Sequence, residues 1–439
     1  MSFPSSLFSV RLALLSAALL AFGGSRLLAD EIHPPLLQAG LPSSIPIEVA
    51  STTASAVKPP VDRVTRSAPG PWGQLDYFPV FLEAPTSLIE QFPMPNAKPR
   101  WVFPESQLEH LPAFFKQAGL DAPFIGALMS PSTLIKDADM VYLFPPQPML
   151  EAMTPVQRQI IYGELRKYPI NEFHADPVLI VSGDVNEWFR TAKLRPELIE
   201  KFKQFTYTRG ETLAFSDLPA LMTYAKDEAE AKSMMKALTR TRALMVKLYL
   251  DEHTDLAAIM NYWSSGLNVR RKDPVPLLQS IIDVEGTNRI DVIHLLPPLP
   301  RKLLMTYPDI SMGRDGLLPD CHWTSLNFFN YDAQPYLLDA RLATSAVLER
   351  FNAVDAPYKY GDILFFLDAK TGDAFHSCVY IADDIVFTKN GRNVLSPWIF
   401  MKLDDVRKIY LFDGNGRVQA FRSKKTMPPQ GTAALQPAQ

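Results

Sequence analysis

Cysteine and histidine are both scarce in this chain of 439 residues, which contains two cysteines and seven scattered histidines. Two cysteines are too few for a structural zinc site of the usual closed kind. We therefore expect no metal and no cofactor. The formal net charge of −3 gives no electrostatic reason to expect a nucleic-acid partner, because such proteins usually carry a basic patch.

Apolar residues, in contrast, are plentiful. They make up 47% of the sequence, which is enough for sizeable cores, and the 21% of charged residues is ordinary for a globular protein. The length favours two or more domains. We predict an α+β protein, in which a mostly α-helical N-terminal domain precedes a domain built from a helix packed on an antiparallel sheet.

The N-terminal segment is typical of a signal peptide, which we assign to residues 1–29. Arg11 supplies a positive charge, the apolar stretch from Leu12 to Phe22 is too short to span a bilayer, and Ala29 offers a small residue before a cleavage site. An uncleaved anchor is the alternative. The sequence therefore predicts a secreted or periplasmic protein with no stable membrane insertion after cleavage.

Three further segments are predicted from composition and periodicity. Residues 30–100 are rich in proline and indicate a linker, although Trp72 to Leu82 carries enough aromatic residues to dock on a neighbour. Residues 101–305 are expected to form an α-rich domain of unknown role, with its longest helical run at 227–250. Residues 423–439 are expected to be a disordered tail.

One of the two cysteines follows a residue that favours the start of a helix. Asp320 is a good N-cap, since its carboxylate can accept the free backbone N–H groups of a helix that begins at Cys321. The positive end of the helix dipole then favours the thiolate form of that cysteine. Leu326 and Phe329 give the helix an apolar face. This pattern indicates a nucleophile on a buried helix.

A candidate base lies further along the chain, in a predicted hairpin. Gly361 and Asp362 indicate a turn before an apolar strand, and a second turn at 370–373 leads into a strand that opens with His376. A third strand follows at 385–390. An imidazole in this position could take the proton of the Cys321 thiol.

These elements resemble the NlpC/P60 family of papain-like cysteine peptidases. The matching elements are Asp320–Cys321, Gly361–Asp362 with its apolar strand, and His376, within roughly residues 305–412. The resemblance implies a papain-like, NlpC/P60-type domain over residues 306–422. It also implies a secreted hydrolase that cleaves an amide bond in peptidoglycan stem peptides through an acyl-thioester, with a cell-wall peptide as its partner.

The resemblance implies roles for individual residues. Cys321 would be the nucleophile and His376 the base. The family places a third polar residue about a dozen positions after that histidine, which selects Thr388 by register, while a bulge would bring in Asn390 instead. An upstream tyrosine often helps to bind the oxyanion in the family, and Tyr307 is the candidate here.

The chain departs from the family directly after the cysteine. Where the family usually has Ser-Gly, this chain has His322 and Trp323, so the surroundings of the nucleophile differ. His322 and Arg314 are expected to contact substrate at the rim of the site. The departure also permits a thiol-dependent acyltransferase or a lipid-directed esterase of the same fold.

Two alternatives involve no catalysis. The protein could be a cell-wall-binding or scaffolding protein whose helical part forms the working surface. In an oxidising compartment, Cys321 could also pair with Cys378 as a disulfide. Cys378 lies two residues after His376 on a predicted strand, so both side chains are expected on one face.

Overall fold

The computed structural model of the protein describes residues 64–91, 98–265, 274–313 and 316–425. Helices and antiparallel strands are mixed throughout these ranges, so the predicted α+β class is confirmed. The signal peptide, most of the linker, Arg314 and the tail from residue 426 lie outside the described residues. Within the described ranges, the helices are all too short or too polar to cross a bilayer.

The described strands and helices are defined as follows. The strands are β1 (Thr65–Arg66), β2 (Gln74–Leu82), β3 (Trp101–Pro104), β4 (Leu134–Asp137), β5 (Met140–Leu143), β6 (Val178–Ile180), β7 (Tyr207–Arg209), β8 (Thr212–Phe215), β9 (Thr241–Tyr249), β10 (Arg289–Asp291), β11 (Phe351–Val354), β12 (Ile363–Asp368), β13 (Ala374–Ala382), β14 (Ile385–Lys389), β15 (Trp398–Lys402) and β16 (Gly416–Ser423). The α-helices are α1 (Thr86–Ile89), α2 (Leu111–Gln117), α3 (Ala122–Leu128), α4 (Gln147–Ala152), α5 (Pro155–Leu165), α6 (Glu172–Ala175), α7 (Val185–Phe189), α8 (Pro196–Gln204), α9 (Leu218–Met222), α10 (Glu228–Leu238), α11 (Leu256–Trp263), α12 (Val275–Asp283), α13 (Pro298–Leu303), α14 (Cys321–Leu326), α15 (Ala340–Arg350) and α16 (Leu403–Tyr410). Short 3-10 helices lie at Glu105–His110, Val292–Leu295, Ile310–Met312 and Pro335–Leu338.

One hydrophobic core is built entirely from residues 101–238. It contains two three-stranded sheets, with strand orders β3-β5-β4 and β6-β8-β7. A buried ion pair joins Arg158 to Asp217 at 3.0 Å, and the Tyr162 hydroxyl donates to the same carboxylate at 2.6 Å. We call this part of the molecule the N-terminal core. It contains two small sheets as well as helices, and its helices hold more residues than its strands.

The prediction of one long helix over residues 227–250 is wrong. Helix α10 ends at Leu238, and the strand β9 follows at 241–249. Along that strand Leu244, Val246 and Leu248 are buried while the residues between them are partly exposed, which is the two-residue period of a strand.

Strand β9 pairs with β2 along its whole length, from Gln74 opposite Tyr249 to Leu82 opposite Thr241. The predicted linker, residues 30–100, extends too far toward the C-terminus, since residues 74–82 form a strand of a four-stranded sheet. This pairing agrees with the expectation that the aromatic stretch Trp72–Leu82 docks on a neighbour. Composition could not identify the strand, because its partner lies far along the chain.

The predicted domain boundary at residue 305 also fails. A second hydrophobic core joins Leu244, Trp263 and Leu304 to Trp323 and Phe387, on both sides of that boundary. The described residues between 241 and 305 thus belong with the C-terminal part of the chain, and the N-terminal core ends near residue 238. The reason is non-local, because β9 and the helices after it bury their apolar faces against the C-terminal sheet.

The C-terminal part contains a six-stranded antiparallel sheet with strand order β11-β16-β12-β13-β14-β15. Helix α14 lies against the face that carries Ser377 and Val379. Helix α16 covers the opposite face through Leu403 and Val406, together with Cys378. Alternation along β13 puts His376 on the α16 side. The sheet therefore separates the body of the cysteine helix from the helix that covers the histidine.

Candidate active site

Cys321 is the first residue of α14, and its backbone is fixed by the residue before it. Asp320 has an extended conformation, and its Oδ1 accepts a hydrogen bond from the backbone N–H of Trp323 at 2.8 Å. Its other carboxylate oxygen accepts from Nε of Arg392 at 3.2 Å. The predicted N-cap is therefore confirmed. The Cys321 side chain is 5% exposed, at the edge of a cavity.

His376 is completely buried and is held from two sides. Thr388 Oγ1 lies 3.2 Å from its Nε2 atom, and the Tyr410 ring stacks on the imidazole with centroids 3.8 Å apart and planes within 10°. The Nδ1 atom is buried and has no hydrogen-bond partner among the described residues. One ring nitrogen is thus positioned by the protein, and the other can exchange a proton.

His322 does not lie at a rim, so its predicted place as a surface contact for substrate is wrong. Its side chain is 8% exposed, and its Nδ1 atom lies 3.0 Å from the Ser377 hydroxyl, which donates to the Ser325 hydroxyl. The imidazole also stacks on Phe365. The reason is the direction of α14, which turns position 322 toward the sheet.

Two imidazoles determine the ionisation of Cys321. Burial alone would raise the pKa of this thiol. The positive charges of His322 and, to a smaller extent, of His376 outweigh burial and lower the pKa from 9.0 to about 5. Burial alone would lower the pKa of His322, yet Cys321 and Asp320 raise it from 6.5 to about 9. A thiolate next to an imidazolium is therefore the favoured state at neutral pH.

The second cysteine has a different environment, and the disulfide alternative is not seen, because both thiols are free. Cys378 is fully buried and lies opposite Leu364 in the sheet. Burial raises the pKa of Cys378, and the negative charge of Cys321 adds to this effect. Of the two thiols, Cys321 is the one suited to act as a nucleophile.

Cys321 and His376 line one cavity of about 690 Å³. Its wall comes from both parts of the molecule, since residues 175–179 and 238–244 also line it. Asn390 lines this cavity as well, but its side-chain N–H group donates to the Met401 sulfur at 3.3 Å. Of the two residues expected to orient the imidazole, Thr388 is the one in hydrogen-bond contact with it.

Tyr307, expected to bind the oxyanion, does not line this cavity. Its hydroxyl is buried and has no hydrogen-bond partner among the described residues. Burial raises the pKa of this phenol, and the carboxylate of Glu83 raises it further. The structure thus places Tyr307 near Glu83 rather than beside the thiol. Arg314 lies outside the described residues.

The Gly361–Asp362 element has a structural explanation. Gly361 has a φ of +86°, and a Cβ atom there would lie 2.2 Å from the Phe329 ring. Asp362 is 1% exposed and accepts two hydrogen bonds from Arg422, at 2.7 and 2.6 Å. These contacts fix the start of β12, next to the strand that carries His376.

Sequence reasoning missed three residues around the reactive pair. Tyr410 stacks on His376, and Arg209 and Asp176 line the same cavity from the N-terminal core. No local pattern marks them, because their proximity arises only when the two parts of the molecule meet. Within the described ranges, no cluster of three or more His, Cys, Asp or Glu side chains could hold a metal ion.

Comparison with known proteins adds no assignment. The chain matches no protein-family model, no curated protein and no solved structure.

Proposed function

We propose that this protein is a cysteine hydrolase of the papain-like kind, which cleaves an amide bond in a cell-wall stem peptide. The observation that carries the proposal is the lowered pKa of Cys321, about 5, in a cavity that the buried His376 also lines. Perturbed ionisable groups in a cleft are typical of active sites. The cysteine helix, the antiparallel sheet and the histidine strand also follow one another as in the family that the sequence resembles.

The proposed reaction begins with attack of the Cys321 thiolate on the carbonyl carbon of the amide. The tetrahedral oxyanion accepts a hydrogen bond from the backbone N–H of Cys321 in the first turn of α14. His376, which has taken the proton of the Cys321 thiol before the attack, gives this proton to the leaving amine, so the C–N bond breaks and an acyl-thioester remains. His376 then takes a proton from water. The resulting attack releases the carboxylic acid and restores the thiolate.

The two imidazoles are assigned different tasks. His322 is tied to Ser377 through Nδ1 and is the larger of the two influences that lower the pKa of Cys321. We assign it to holding the thiolate in the resting enzyme. His376 has an unpartnered Nδ1 atom, while Nε2 contacts Thr388. We assign proton transfer to His376, because only its free nitrogen can exchange a proton without breaking a hydrogen bond.

The proposed place of action is outside the cytoplasm, in contact with the cell wall. This part of the proposal is supported by the sequence of residues 1–29 alone, which lie outside the described residues. A substrate there would be a peptide rather than a nucleic acid, in keeping with the net charge of −3.

The experiment is incubation of the purified full chain with peptidoglycan stem-peptide fragments, followed by detection of newly released amines. We expect amine release by the wild type and by Cys378→Ser, and none by Cys321→Ser. Acyl esters and acyl acceptors tested in parallel would reveal an esterase or transferase instead. A folded protein that releases no amine, and whose Cys321 is inert toward iodoacetamide, would contradict the proposal.

A further inference from the structure

The charged side chains that line the cavity differ in whether the protein already neutralises them. Seven Asp or Arg side chains line it: Asp176, Arg209, Arg240, Arg242, Asp368, Asp405 and Asp413. Arg240 pairs with Glu83, Arg242 pairs with both Glu187 and Asp405, and Asp413 pairs with Arg166. Asp368 accepts backbone N–H groups from residues 370 and 371. Of these seven, the side chains of Arg209 and Asp176 have no hydrogen bond or ion pair with a described residue, although their charges influence each other.

Arg209 is held in place by packing rather than by a counter-ion. Its guanidinium carbon lies 4.1 Å from the centroid of the Phe412 ring, and its Nε atom is buried without a partner. The next residue, Gly210, has a φ of +59°, and a Cβ atom there would lie 2.6 Å from Phe412. The turn after β7 thus fixes the arginine against the aromatic ring. Asp176 and Asp413 act on this guanidinium electrostatically, but no described carboxylate forms an ion pair with it, so its planar donors are available to a ligand carboxylate.

The Tyr410 side chain, which also lines the cavity, interacts with Arg209 as well as with Cys321 and His376. Its ring stacks on His376. Burial raises the pKa of the Tyr410 phenol, the charges of Cys321 and Asp176 raise it further, and the charge of Arg209 opposes them. One phenol is therefore within electrostatic range of the nucleophile and of both unpaired charges.

We propose that Arg209 binds a carboxylate group of the ligand, so that the cavity takes N-acylated amino acids or peptides with a free carboxylate. A guanidinium offers planar donors that match a carboxylate. Asp176 disfavours a second negative charge nearby, which selects a singly charged carboxylate over a phosphate. Phe375, which is 40% exposed, gives the cavity an apolar surface for the acyl group. Binding of the carboxylate at Arg209 does not depend on the proposed function, whereas cleavage of this ligand rests on it.

The test compares benzoyl-glycine with its neutral amide, benzoyl-glycinamide, as calorimetric ligands of full-length Cys321→Ser. This variant cannot turn over either ligand through the thiol. We expect the acid to bind at least about tenfold more tightly than the amide, which corresponds to about 1.4 kcal/mol. Arg209→Gln should abolish the preference. Arg195→Gln should keep it, because Arg195 lies in the N-terminal core, pairs with Glu230 and does not line the cavity.

Equal affinities, binding of neither ligand, or a preference that survives in Arg209→Gln would overturn the proposal. If Arg209→Gln does not fold, Arg209→Lys decides, since lysine keeps the charge without the planar donors and should lose part of the preference. If the protein binds the acid more tightly than the amide but the wild type cleaves no amide bond, only the proposed hydrolase activity would be refuted. If the wild type cleaves an amide bond but the protein shows no binding preference for the acid, only the proposed carboxylate site at Arg209 would be refuted.

Discussion

The two parts of the molecule each bury a histidine, with opposite results. His174 lies in the N-terminal core and is 7% exposed, and His322 lies beside Cys321 and is 8% exposed. Burial lowers the pKa of His174 to about 3, since it is the only cause of the shift there. The pKa of His322 rises to about 9 because Cys321 and Asp320 outweigh burial. Equal burial thus produces a neutral structural ring in one place and a stable cation in the other.

The same contrast holds for the other buried charges. In the N-terminal core, Arg158 and Asp217 neutralise each other, and Tyr162 donates to the same carboxylate. Around Cys321, the positive charge of the imidazoles is balanced by a sulfur that is also able to react. The first arrangement stabilises a fold, whereas the second, in the proposed function, maintains a nucleophile. Substitutions in the two places are therefore expected to have different effects.

The largest effect is expected at His376. His376→Gln should lower kcat for amide cleavage by roughly 10²–10⁴-fold, because a positioned general acid–base is lost. Cys321 should still react with iodoacetamide at neutral pH, since His322 remains beside it. Full activity in this variant, measured as released amine, would remove His376 from the mechanism.

A large effect on stability, without an effect on the thiol, is expected in the N-terminal core. Asp217→Asn leaves Arg158 buried without a counter-ion, which should lower the free energy of unfolding by about 3–5 kcal/mol in urea titrations. Glu228→Gln is the matched control. It breaks an exposed pair with Lys232 and should cost less than about 1 kcal/mol. Equal costs for the two substitutions would contradict this account of the core.

His322→Gln should raise the pKa of Cys321 by roughly one to three units, through loss of the nearest positive charge. The shift should exceed that of His376→Gln, because His322 has the larger influence. His174→Gln is the control from the other core and should leave the thiol unchanged. The measurement is the pH dependence of alkylation at Cys321. A larger shift in His376→Gln would reverse the assignment of the two imidazoles.

The smallest effect is expected at the residue that orients His376. Thr388→Ala removes one neutral hydrogen bond, worth about 1 kcal/mol, so kcat should fall by about tenfold or less. Asn390→Ala should have a smaller effect still, because its side chain contacts Met401 rather than the imidazole. If Asn390→Ala proved the more damaging, the register of the hairpin would have to be reconsidered.

Local features of the site could be predicted from the sequence. The cap at Asp320, the strand that opens with His376 and the position of Thr388 all depend on residues near one another in a helix or hairpin. Their geometry follows from helix capping and strand register, which are local rules. The direction of His322 was missed, because it depends on which face of the sheet the helix meets.

Non-local features could not be predicted. Strand β2 needs its partner β9, which lies more than a hundred residues away, and the composition of residues 30–100 indicates a linker instead. The division of the cores near residue 238 depends on the same pairing. Arg209 and Asp176 carry no motif, and only the contact between the two parts of the molecule brings them to the cavity.

The pH dependence of alkylation at Cys321 tests the central claim most directly. Iodoacetamide reacts with thiolate, so the rate in the wild type should reach half its plateau near pH 5, the pKa of this thiol. Cys378, whose pKa is raised by burial, should stay unmodified over the same range. A half-maximum near pH 8.5, the value for an ordinary thiol, would contradict the activated nucleophile and the hydrolase proposed from it.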